Sequence, residues 1–208
     1  QKMKDQEGEY FDIAFGYKLD LDKRNQRYQT TDGYRSRFSQ SIPMISDDYA
    51  FLNSYDYTTF NQFGDMVTRF AFLARTINSM NGEDVRISKR LYIPTKRLRG
   101  FESGRIGPTD GGDYIGGNHT AVINASTTLP DFGANLEKVD FQLFFDAANV
   151  WGVDYDSTLD NSSLRSSVGL SVDWFTIIGP LNFSIAQPIS KADTDRTETV
   201  RFNIGTTF

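Results

Sequence analysis

The sequence predicts an all-β fold, an antiparallel transmembrane β-barrel with about nine strands in this chain. Three observations point there. Apolar and polar residues alternate strictly over long stretches, which is the repeat of a strand with one apolar face. Many of these stretches exceed the usual strand of ~5–6 residues and suit the ~9–11 residues of a tilted membrane strand. The connections alternate between short turns and long loops, the asymmetry of an outer-membrane barrel.

The first segment, 8–20, sets Phe11, Ile13, Phe15, Tyr17 and Leu19 against Asp12, Ala14, Gly16 and Lys18. Segments 27–42, 48–60 and 65–77 follow, and the first of these puts Arg35, Arg37, Ser39 and Ser41 on its polar face. Residues 78–117 lose the period and are a predicted loop. Segments 118–130 and 138–150 resume it. In the second of these, Val139, Phe141, Leu143 and Phe145 share the apolar face, so Phe144 and Asp146 point the other way. A second long loop covers 151–162. Segment 163–176 then opposes Leu164, Val168, Leu170, Val172 and Trp174 to Arg165, Ser167, Gly169, Ser171 and Asp173. Segments 180–188 and 197–208 complete the set, the last opposing Val200, Phe202, Ile204, Thr206 and Phe208 to Arg201, Asn203, Gly205 and Thr207. No stretch sustains a 3.6-residue period, so helix is minor.

Composition narrows the function classes. The 208 residues carry 22 Lys and Arg against 27 Asp and Glu, a net charge of −5, with 14% aromatics, one His and no Cys. An acidic balance disfavours a nucleic-acid surface. Without Cys there is no thiol nucleophile, disulfide or zinc–thiolate site, and His119 alone makes a transition-metal site unexpected. No nucleophile–His–acid set assembles and no phosphate loop is present, so the expectation is a non-enzyme without cofactor. The acidic loops Asp154–Asp160 and Asp193–Asp195 lack the calcium-loop pattern and are expected to be solvated. Asn118-His119-Thr120 is a formal sequon, read as a chance match. Arg35, Arg37, Arg69 and Arg75 lie on predicted inward faces, where they would solvate a lumen, pair with acids, or line a pore.

Barrel is preferred to soluble sandwich because the polar faces mix small residues with isolated charges, and because Tyr10, Trp174, Phe175 and Phe208 sit towards strand ends like an interfacial girdle. An odd number of antiparallel strands cannot close on itself. The expectation is therefore part of a larger barrel, with earlier strands upstream of Gln1 and Phe208 as its terminus.

The long loop reads Leu98-Arg99-Gly100-Phe101-Glu102-Ser103-Gly104-Arg105-Ile106-Gly107-Pro108. This resembles the loop-six motif of the BamA family of outer-membrane barrel assembly factors, a V/L-R-G-F tetrad followed by I-G-P. Thr31-Asp32-Gly33, Gly116-Gly117-Asn118, Phe145-Asp146-Ala147-Ala148-Asn149-Val150-Trp151, the hairpin Ile178 to Pro188, and Phe202 to Phe208 resemble further family motifs in the same order. The resemblance covers essentially the whole chain.

The resemblance implies that residues 1–208 are the C-terminal part of a single outer-membrane barrel domain of about sixteen strands, with the first strands and periplasmic POTRA repeats outside this chain. Loop 78–117 would fold into the lumen. Arg99 would reach an acid on the inner wall, and the matching position is Asp146. The family often adds a second acid on the preceding strand, where the nearest inward position here is Ser126. Gly100, Phe101, Ile106, Gly107, Pro108 and Phe144 would belong to the same lumen contact. The last strand, with Val200, Phe202, Ile204, Gly205 and Phe208, would form a lateral seam that opens to template incoming strands. The implied function is outer-membrane protein assembly and insertion. The implied partners are unfolded outer-membrane barrel proteins, accessory assembly lipoproteins and outer-membrane lipids, with the C-terminus at the periplasmic side. A TamA-like insertase or two-partner secretion transporter, a passive porin-like channel, and a soluble β-sandwich remain the alternatives.

Overall fold

The computed structural model describes residues 6–130, 138–160, 163–176 and 179–204. The alternating segments become strands β1 (Asp12–Asp22), β2 (Gly33–Ser46), β3 (Ala50–Phe63) and β4 (Met66–Ser79). The long loop then carries a two-residue pair, β5 (Thr109–Asp110) and β6 (Asp113–Tyr114). Strands β7 (His119–Thr128), β8 (Val139–Trp151), β9 (Arg165–Thr176), β10 (Gly179–Ser190) and β11 (Val200–Ile204) follow. Nine of them form one sheet in the order β1-β2-β3-β4-β7-β8-β9-β10-β11, each antiparallel to its neighbour. The sheet is open, and among the described residues the outer edges of β1 and β11 have no partner.

The second strand starts later than periodicity predicts, at Gly33. Residues 23–32 fold as a loop instead. The Lys23 N–H donates to the Tyr34 carbonyl at 2.8 Å, and the Asn25 amide donates to the Thr31 hydroxyl at 2.7 Å. Asn and Thr side chains compete locally with the ladder, which is turn chemistry. The antiparallel order puts the ends of β1, β3, β7 and β9 at one end of the sheet and the ends of β2, β4, β8 and β10 at the other. Both loops predicted to be long therefore leave from the same end.

The outward face is apolar and bare: Phe15, Leu19, Phe70, Phe145, Leu170, Ile185 and Phe202 are all exposed. An apolar belt this continuous is costly in water and matches the solvent of a hydrocarbon layer. No helix among the described residues is long and apolar enough to cross a membrane, which leaves crossing by strands unaffected.

The buried residues lie on the inward side, where the long loop folds back. Loop residues Ile93, Leu98, Phe101 and Ile106 pack with wall residues Leu73, Val122, Ala148 and Val150. Two smaller clusters fasten the rest, one of Ile77, Val85 and Leu91, the other of Ile87, Ile115 and Val153. Where these loop residues dock, β7 and β8 turn Val122, Ala148 and Val150 inward. Burying the loop's four side chains stabilises by roughly 1.5–3 kcal/mol each before chain entropy is subtracted.

Candidate functional site

Strand parity turns Asp146 inward from β8, and loop 80–118 lays Arg99 over it. The pair is bidentate: Arg99 Nε donates to Asp146 Oδ2 at 2.7 Å and Nη2 to Oδ1 at 2.8 Å. The Arg99 main-chain N–H adds a third bond to Oδ2 at 3.1 Å. Asn124 on β7 adds a fourth, Nδ2 to Oδ1 at 2.7 Å. The carboxylate is completely buried, with its acceptor sites filled by four donors. The Arg99 carbonyl is held in turn by the Ser167 hydroxyl at 2.6 Å.

Phe144 is also buried, and its ring lies under Arg99, with the guanidinium carbon 3.4 Å from the centroid. A cation over a desolvated ring adds attraction of ~2 kcal/mol. Gly169, opposite Phe144 in the ladder, makes room for this stack. A Cβ at that position would meet Phe144 Cζ at 2.6 Å and the Ile185 carbonyl oxygen at 2.1 Å. Glycine, ring and guanidinium therefore form three layers on the wall.

The neighbouring residues fix the loop around this point. Gly100 and Phe101 follow Arg99 directly, and Phe101 enters the buried cluster while bridging Thr197. Ile106 joins the same cluster, and Pro108 is fully buried, its carbonyl accepting from the Ile115 N–H at 3.1 Å. Gly107 has φ +103°, and a Cβ there would stand 2.4 Å from Val150 Cγ1. A side chain at 107 would fail on both counts, backbone and space.

Three sequence expectations need correction. The inward residue that meets Asp146 from the preceding strand is Asn124, not Ser126, because the register pairs Asn124 with Asp146 and Ser126 with Phe144. The contact is an amide donor to the acid, not a second carboxylate. The Asp193–Asp195 loop is not simply solvated. Asp195 forms an ion pair with Arg165 at 2.9 Å, both side chains fully buried, and takes the Gly107 N–H at 3.3 Å. Asp154 in the other acidic loop is also engaged. It binds Arg90, the Val85 N–H at 2.7 Å and the Asn118 amide at 2.9 Å. In both cases the partner is distant in sequence, so local composition could not show it. Asp193 is exposed, as the composition suggested. Asp156 is half-buried, and hydrogen bonds from Thr158 hold its carboxyl below the usual range. Nearby Tyr155 is pushed up to about 12 by burial and by its bond to Asp110 at 3.0 Å.

Of the inward arginines, Arg35 and Arg37 pair with Asp20. Arg97, singled out by nothing in the sequence, pairs with Asp56 on β3. Beneath the loop lies a polar cavity of about 630 Å³, lined by Arg69, Arg97, Arg99, Asn124, Asp173 and Asn182 among others. Among the described residues no His, Cys, Asp and Glu cluster could hold a metal ion.

The proposed seam strand is β11. Val200, Phe202 and Ile204 are exposed on its outward face, and Phe202 stacks on Phe183 with centroids 4.6 Å apart. Gly205 and Phe208 lie outside the described residues, as does Ile178.

Comparison with known proteins gives a consistent result. The Omp85 superfamily domain matches residues 1–208. The outer membrane protein assembly factor BamA of Neorickettsia risticii is 27% identical over 94% of the chain, which spans 27% of that protein. BamA of Neisseria meningitidis is 34% identical over 53% of the chain, which spans 17% of it. The crystal structure of Haemophilus ducreyi BamA lacking POTRA domains 1–3 superposes with a TM-score of 0.80 at 27% identity, over 92% of this chain and 41% of that one. The chain thus spans about a quarter or less of these curated relatives' length.

Proposed function

The chain belongs to the Omp85 superfamily, and from that premise we propose that it serves outer-membrane protein assembly as part of the barrel wall of an insertase. In this reading β11 is one lip of a lateral seam. An unsealed strand offers free N–H and C=O groups, which can template a strand of an unfolded client barrel. No bond is made or broken, so the energy comes from the client's burial in lipid. The clients are unfolded outer-membrane barrel proteins. Accessory assembly lipoproteins and outer-membrane lipids are the further partners, and the C-terminus faces the periplasm.

The observation that carries the reading is the clamp of Arg99 on Asp146. It braces the tetrad loop against β8 with two side-chain bonds, at 2.7 and 2.8 Å. A buried ion pair adds little net stability but fixes geometry, and breaking one partner costs ~3–5 kcal/mol. That is the profile of a brace that keeps a lumen in shape while the wall beside it works.

The test uses the complete gene product carrying this chain, reconstituted in liposomes with any lipoproteins that co-purify. An unfolded outer-membrane barrel is added and its gain of protease resistance is followed. Wild type should accelerate the gain, and Arg99→Glu should abolish the acceleration. Equal acceleration by both would remove Arg99 from the mechanism. Steady ion conductance with no acceleration by wild type would replace the insertase with a channel.

A further inference from the structure

Among the described residues, the ladder holding β11 runs from Leu181↔Ile204 to Ile185↔Val200 on β10. A second set of bonds grips the strand from inside. Arg201 points inward and is buried. Its guanidinium donates to the main-chain carbonyls of Thr95 and Phe101, and to that of Leu98 at 3.4 Å. Glu198 accepts from Nη2 at 2.9 Å and from Nε at 3.2 Å. Two of the three carbonyls belong to the first and last residues of the tetrad.

The residues just ahead of β11 pair with the tetrad through their main chain as well. The Glu198 N–H donates to the Gly100 carbonyl at 3.1 Å, and the Glu102 N–H to the Arg196 carbonyl at 3.0 Å. The Arg196 N–H donates to the Arg105 carbonyl at 3.0 Å, and Phe101 bridges Thr197. The tetrad therefore faces two ways. Its one charged side chain, Arg99, engages β8, and its backbone engages β11. A guanidinium suits the second task, because its planar fork of donors reaches several carbonyls at once and it needs no acceptor of its own.

We propose that Arg201 is a positioning residue that couples the tetrad loop to the last strand, so that undocking the loop loosens β11. The proposal rests on the seam reading for its functional sense, but the coupling itself is measured without it. With the loop docked, β11 has two anchors. With the loop gone, among the described residues Arg201 keeps Glu198 and the strand keeps its ladder to β10. Coupling of this kind is reciprocal, so a loosened β11 also weakens the loop's hold.

The experiment is amide hydrogen exchange on the complete gene product in liposomes, with client insertion followed in the same vesicles. Arg99→Ala and Arg201→Gln should each speed exchange of Val200–Ile204 about tenfold, from losing charged hydrogen bonds. The double variant should exchange no faster than the faster single one, because both break the same link. Effects that multiply, or unchanged exchange in Arg201→Gln, would overturn the coupling. A disulfide between Glu102→Cys and Arg196→Cys replaces the link covalently. In the Arg201→Gln background it should restore exchange to within about twofold of wild type, as expected for a tether. Persistent fast exchange with the disulfide formed would place the damage elsewhere and overturn the proposal. Coupled exchange with client insertion unchanged in every variant would keep the coupling and discard β11 as a working seam.

Discussion

The inward faces of β1–β2 and of β7–β10 are written in the same alphabet of small residues and isolated charges, yet they treat those charges differently. On the first, Arg35 and Asp20 pair with side chains 33% and 25% exposed. On the second, Arg165 and Asp195 pair with neither exposed at all, and Arg99 meets an equally buried Asp146. What separates the two regions is cover. Loop 80–118 and loop 191–199 lie over the second wall, and each supplies one member of a buried pair. Exposed pairs contribute ~0–1 kcal/mol, and the loss of one partner from a buried pair costs ~3–5 kcal/mol. The same two residue types are therefore solvated decoration on one wall and a latch on the other.

The largest test of that contrast is Asp146→Ala. It leaves Arg99 without its carboxylate and should cost ~3–5 kcal/mol of loop docking. Tryptic cleavage after Lys96, Arg97 or Arg105 in the membrane-embedded protein should rise by at least about a hundredfold. Cleavage at the wild-type rate would mean that apolar packing alone holds the loop. Gly169→Ala is a subtler disturbance of the same wall, because it forces Phe144 from beneath Arg99. The cost expected for overpacking is ~1–3 kcal/mol, seen as a smaller rise in the same cleavage. No rise would show that the ring has somewhere else to go. The smallest effect belongs to the open wall: Arg35→Ala should cost under ~1 kcal/mol and leave loop cleavage unchanged. A large loss there would erase the distinction between covered and uncovered charges.

Much of this was legible in the sequence, and the reasons differ by feature. A period of two survives wherever one side of a strand meets an apolar medium, so the nine strands and their two faces could be read directly. The same parity put Phe144 and Asp146 inward, and the resemblance of Leu98 to Phe101 supplied the partner. Register was out of reach. Parity allows every second residue of β7 to stand beside Asp146, and only the ladder decides for Asn124 over Ser126. Asp195 was hidden for another reason, since its partner Arg165 lies across β10 and a local acidic run looks the same whether solvated or buried. Gly169 gave no signal, because a glycine's role here is the space that Phe144, distant in the chain, requires only after pairing. The apolar inner residues Val122, Ala148 and Val150 are a sign that the sequence does carry. On a polar lumen wall, such residues mark where something docks.

The docked tetrad also has a bearing on how the wall acquires its alignment. Sliding β8 by one residue against its neighbours would send every side chain through to the opposite face. Asp146 would then stand in hydrocarbon, and Phe145 would take its place beneath the loop. Arg99 has a partner in only one of these two alignments. Its bond spans 47 residues and needs Asp146 on the inward face, which the in-phase alignment alone provides. The latch thus acts as an inspector of strand alignment, engaging only on a wall that has been assembled in phase.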